Sequence, residues 1–107
     1  MAAIIQITCT HSAPAGWELA NQINKGFRHP TARINGEEKE LKWDSPTNLT
    51  LPAGGPYKLQ VFFKFFGLHW CPAEIGIGPL ADGETQTYEY QLDIKDEWVN
   101  RGHIKQI

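Results

Sequence analysis

Two cysteines and two histidines carry the chemistry that this sequence could offer. Cys9 and His11 stand two apart in "TCTH" (8–11), and His69 and Cys71 stand two apart in "LHWCP" (68–72). Residues two apart in a strand share a face, so each pair would present two soft or borderline donors from one strand. Were those strands adjacent, thiolates and imidazoles would meet in a tetrahedral zinc site. The Cys-x-His spacing is not that of a zinc knuckle, however. The only methionine is Met1, which leaves no thioether for a blue-copper centre. The competing reading is packing: Cys9 shares a face with Ile5 and Ile7, and Cys71 shares parity with Ala73, Ile75 and Ile77. A free cysteine packs as a small hydrophobe and is among the most buried residue types. A Cys9–Cys71 disulfide or redox pair is the third possibility. The residues favour packing: reduced, buried, metal-free thiols, with His11 and His69 in separate local roles and no cofactor. A zinc site of Cys9, His11, His69 and Cys71 stands as the alternative.

Catalytic patterns are weaker still. Ser12 beside His11 is not a nucleophile elbow, and Asp44-Ser45 has no histidine near it in sequence. Glu37, Glu38 and Glu40 read as the solvated edge of a hairpin. No strand–Gly-rich turn–helix context supports a phosphate loop. The expectation is a chain that is not an enzyme. A carbohydrate-binding sandwich is a further alternative, because Trp17, Trp43, Trp70 and Trp98 would stack on sugar rings if two were exposed together. Trp43 and Trp70 read as core residues, which leaves Trp17 and Trp98 as the surface candidates.

Composition narrows the partners. A chain of 107 residues is sized for one domain, and 41% apolar with 21% charged residues is ordinary for a globular protein. The net charge is −2 with Lys and Arg scattered, so no basic stripe is available for nucleic acid. "MAAIIQITCTH" lacks a basic n-region and its apolar run breaks at Gln6, which reads as neither signal peptide nor membrane span. With two cysteines, this implies thiols kept reduced in a cytoplasm and no membrane role.

The elements that must position these residues alternate with period two. In "GETQTYEYQLDI" (83–94) Tyr88, Tyr90, Leu92 and Ile94 share one face, with Thr87, Glu89, Gln91 and Asp93 opposite. "YKLQVFFKFF" (57–66) puts Leu59, Val61, Phe63 and Phe65 on one side, and Lys58, Gln60, Phe62, Lys64 and Phe66 on the other. Asn35-Gly36 is a two-residue hairpin signal, since a type I′ turn needs positive φ at both positions. The pattern gives about seven strands (3–10, 31–35, 37–43, 47–51, 57–66, 73–78 and 84–94), the signature of an all-β, immunoglobulin-like antiparallel β-sandwich. The sandwich domain spans 1–94. Its long connection, 12–30, has room for a short helix, and 95–107 is an extension that packs on the domain.

Three stretches together, "ARINGEEKEL", "LTLPAGGPYKLQV" and "HWCPAEIGIGPLADGETQTYEYQL", resemble small bacterial immunoglobulin-like domains related to PEGA domains. The shared order is a short strand, an Asn-Gly hairpin, a Pro-Gly-type turn, a long strand, and a Gly-Glu-Thr turn into a final strand. "WCPAE" is similar to a stretch that such relatives carry before the penultimate strand. The resemblance covers about residues 31–94 plus the opening strand. It implies a bacterial β-sandwich that serves as an interaction or spacer module, without a shared catalytic constellation. Phe62 and Phe66, lying beside Lys58 and Lys64 on the face away from the core, are the candidate interaction face. Trp98 in the tail either helps to cover that face or extends it, and the expected partner is a protein or a second copy of the chain.

Overall fold

Apolar side chains at every second position force the N-terminal segment to show one dry face, and Ala3, Ile5, Ile7 and Cys9 are fully buried along it. This is strand β1 (Ala2–Ser12). The computed structural model describes residues 2–12, 16, 19, 29–65, 68–93 and 99–107. The elements among them are eight strands: β1, β2 (His29–Ile34), β3 (Glu37–Glu40), β4 (Pro46–Pro52), β5 (Tyr57–Phe65), β6 (Leu68–Ile77), β7 (Thr85–Asp93) and β8 (His103–Gln106). They form two four-stranded sheets, ordered β4-β1-β7-β8 (sheet A) and β3-β2-β5-β6 (sheet B). The helix expected within 12–30 lies outside the described residues.

The sheets face each other across one core. Sheet A contributes Ile5, Ile7, Tyr88, Tyr90 and Leu92, and sheet B contributes Ala32, Leu59, Val61, Phe63 and Ile77. Val61, Phe63, Tyr88 and Leu92, expected inside from alternation, are at most 3% exposed. The protein is therefore a β-sandwich. Among the described strands all pairings but one are antiparallel. The exception joins β1 to β7 in parallel, with Ile5 beside Gln86 and Cys9 beside Tyr90. An isolated parallel bridge also links Cys9 to Trp43.

The Asn35-Gly36 turn forms as expected, with φ of 55° and 78°, and sets Ile34 opposite Glu37. Three expected boundaries differ. β3 stops at Glu40 rather than 43, because Leu41 turns into the core. The strand expected at 73–78 begins at Leu68, because the chain passes Pro72 through a bulge instead of breaking there. The tail supplies an eighth strand, β8, on the free side of β7.

Candidate functional site

The bulge in β6 decides where the four chemistry-bearing residues go. Val61 pairs with Ala73 and Phe63 with Trp70, so Phe62 alone opposes Cys71 and Pro72. Proline, with no N–H to offer the ladder, is tolerated at such a place. Cys71 takes a left-handed conformation there, with φ of 50°. Alternation is interrupted: Trp70 and Cys71 both turn toward the core, and His69 is left on the outer face. His69 and Cys71 therefore do not share a face, contrary to their spacing.

Cys71 is fully buried and held by its backbone. Its N–H donates to Asn100 Oδ1 at 2.7 Å, and its carbonyl accepts from the Tyr90 hydroxyl at 2.6 Å. Cys9 is equally buried on sheet A. Its carbonyl accepts from the Asp44 N–H at 2.7 Å. Burial, and secondarily the Asp44 carboxylate, pushes the Cys9 thiol up to about 12, so it stays protonated and unreactive near neutral pH. His11 is buried edge-on to Trp43, with ring centroids 5.4 Å apart. Among the described residues no three His, Cys, Asp or Glu side chains come together in a way that could hold a metal ion. The zinc alternative needed Cys9, His11, His69 and Cys71 to converge, and the bulge sends His69 to the opposite side of sheet B. Both cysteines are free thiols.

On the outer face of sheet B, Phe62 points away from the core as its parity required, yet it is only 3% exposed. The expectation is cover by the tail or by a partner; among the described residues the ring meets neighbours from its own sheet. His69 stacks on its ring at 4.2 Å between centroids, and the Arg33 guanidinium lies 5.4 Å from the same centroid. Sequence reasoning missed this cover because it comes from two neighbouring strands, β6 and β2. The cover does not come from β8, which pairs along β7. Lys64 donates to Glu38 Oε1 at 2.6 Å, and Glu38 also pairs with Arg33. Hydrogen bonds from Lys64 first, then Arg33, hold the Glu38 carboxyl down at about 2. Lys58 pairs with Glu74 at 3.2 Å. Lys58 and Lys64 are thus both engaged in ion pairs on this face. Phe66 and Trp98 lie outside the described residues.

These groups surround a hollow of about 390 Å³ lined by Arg33, Gln60, Phe62, His69, Pro72 and Glu74. It is shallow and open, with an aromatic floor and charged walls, suited to recognition of a polar surface rather than to excluding water for chemistry. Of the four tryptophans, Trp43 and Trp70 pack partly buried against the core, as expected, and Trp17 with Trp98 lies outside the described residues. No described helix is long and apolar enough to cross a membrane. No family model, curated protein or solved structure matches this chain.

Proposed function

We propose that this domain is a non-catalytic binding and assembly module that recognises a protein partner through the outer face of sheet B. The observation that carries the reading is His69, an exposed ring stacked on Phe62 and flanked by Arg33. The stack holds an aromatic and a cationic group in fixed positions at the surface, where little side-chain freedom remains to be lost on binding. Around it, the Lys58–Glu74 and Arg33–Glu38–Lys64 pairs form a polar rim of both signs. The resemblance to PEGA-type domains points the same way, as does a cytoplasmic setting in which Cys9 and Cys71 stay reduced. The test is a photo-crosslinker placed at Gln60, inside the hollow. The parent chain should capture a partner that the His69→Glu/Arg33→Glu variant fails to capture at an unchanged melting temperature. Capture that persists in the folded variant would remove this face as the recognition surface.

A further inference from the structure

A sandwich has four sheet edges, and each edge strand offers unpaired backbone groups that the chain must guard. Three of the edges here are guarded. On β4, Ile4 of the neighbouring strand sends its N–H away to Glu84. Its cross-strand partner Thr50 therefore turns its own backbone groups outward, together with Pro46, Asn48 and Pro52. Two of those four positions are prolines with no donor. β3 is four residues long, and Glu37 and Lys39, opposite the buried Ile34 and Ala32, set charges on the inward side. β8 is also four residues long and carries Lys105.

Among the described residues the fourth edge is covered only at its start, where Gly102 bonds Pro72. Beyond Pro72, β6 runs Ala73-Glu74-Ile75-Gly76-Ile77 with no further proline, no inward charge and a single carboxylate. The Pro72 carbonyl accepts from the Gly102 N–H and so faces the open side. Strand alternation then turns the backbone groups of Glu74 and Gly76 the same way. Ile75 packs only partly buried at the rim of the core. Gly76 is the unexplained residue. It lies outside the left-handed region, and a Cβ built on it meets nothing within 4 Å. A strand-interior glycine that the chain's own packing does not require marks a place where other groups approach closely.

We infer that this edge pairs with the same edge of a second copy, β6 to β6 antiparallel about a two-fold axis through Ile75. That register places Ile75 against Ile75 of the second copy and closes the open rim of both cores. Glu74 falls opposite Gly76, so the pair exchanges backbone hydrogen bonds and no like charges meet directly. The charges then interlock. Lys58 lies beside Gly76 within its own sheet, so Glu74 of the second copy stands on the far side of that glycine. The two are separated by two strand spacings, roughly 10 Å between Cα atoms, within the combined reach of a lysine and a glutamate. Any side chain at 76 would stand between them. Gly76 is thus a clearance for a cross-copy Lys58–Glu74 pair, in which Lys58, whose side chain is 72% exposed, exchanges its own Glu74 for that of the second copy or is shared between the two. The resulting eight-stranded sheet carries two His69 faces on one side.

The inference does not depend on what the His69 face binds: Gly76→Pro leaves that face intact, and the Lys58 and Glu74 variants, which alter its rim, are read by self-association alone. Sedimentation velocity on the full chain from about 5 to about 500 µM spans the range expected for a contact this small. The mass should rise from 12.1 kDa toward twice that value. Gly76→Pro removes an outward N–H and no ladder bond, so it should weaken association at least tenfold with the fold intact. Lys58→Glu and Glu74→Lys should each weaken association, and the double exchange should restore it. The Glu74 and Gly76 amides should exchange with solvent more slowly at the high concentration than at the low one. A chain that stays monomeric throughout overturns the inference and leaves the edge to an extended segment of another protein. Association indifferent to both Gly76→Pro and the charge exchange overturns it as well. Should Gly76→Pro lose its fold, the charge exchange decides alone.

Discussion

The two flanks of the sandwich are closed by different means. On the β6/β8 flank the sheets are sewn together. The Tyr90 hydroxyl reaches across to the Cys71 carbonyl, Asn100 caps the Cys71 N–H, and Gly102 bonds Pro72. Gly102 has no room for a side chain, since a Cβ there would run into the Tyr90 ring and the Cys71 carbonyl. On the β3/β4 flank no such bond between the edges is found among the described residues. A hollow of about 310 Å³ remains over Ala32, Ile34, Leu49 and Leu51, with Glu37 and Lys39 at its rim. A strand edge is thus guarded either by residue type alone, with proline and inward charge, or by spending chain length on a tail. The first method costs little stability if undone. The second ties the tail to the core.

Substitutions on the two flanks and in the core between them should differ widely in effect. The largest effect belongs to neither flank: Phe63→Ala empties the shared core and should cost about 3–5 kcal/mol by chemical denaturation. A smaller loss would mean that the flanks carry more of the stability than the core does. On the sewn flank, Gly102→Val should cost about 1–3 kcal/mol and release β8, read as loss of amide protection at Glu89 and Gln91, whose backbone groups face it. Unchanged protection would show that the tail does not depend on that close approach. On the open flank, Pro46→Thr with Pro52→Thr should move stability by only about 0.5 kcal/mol. The same pair should raise aggregation in light scattering by restoring two edge donors. Smallest of all is a pH effect. Glu38 has its carboxyl lowered, so the fold binds fewer protons than the unfolded chain, and stability must fall as pH drops from 4.5 toward about 2. Glu38→Gln should flatten that acid limb in melting curves and leave stability at pH 7 little changed, since the pair is at the surface.

Much of the sandwich was legible because single strands announce themselves. Alternation marked the inner faces of β1, β5 and β7, and Asn35-Gly36 marked its hairpin. The packing of Cys9 and Cys71 was legible from parity as well. What stayed hidden is nonlocal. Nothing near Ile5 says that its neighbour is Gln86, and "HIKQ" holds one apolar residue, too few for a period. The bulge was hidden because Pro72 reads as a breaker, whereas tertiary pairing with β5 carries the strand through it. That one irregularity separates His69 from Cys71 and defeats the spacing argument for a metal. Phe62 shows the converse limit: its direction was readable, but its cover, contributed by Arg33 and His69, was not.

The parallel seam between β1 and β7 also bears on how the chain is made. Sheet B draws its strands from one stretch, 29–77, and each strand pairs with a near neighbour in sequence. Sheet A joins the first strand to the last two across some 80 residues, a separation that slows closure. On a ribosome, which releases the chain from its N-terminus, Ile5, Ile7 and Cys9 emerge well before the β7 residues they pair with. β1 can meet β4 early, but its other side stays open until Tyr88 and Tyr90 emerge. A chain stalled before residue 85 would expose a long, apolar, unpaired strand edge, so the window of greatest aggregation hazard runs from the emergence of β1 to that of β7.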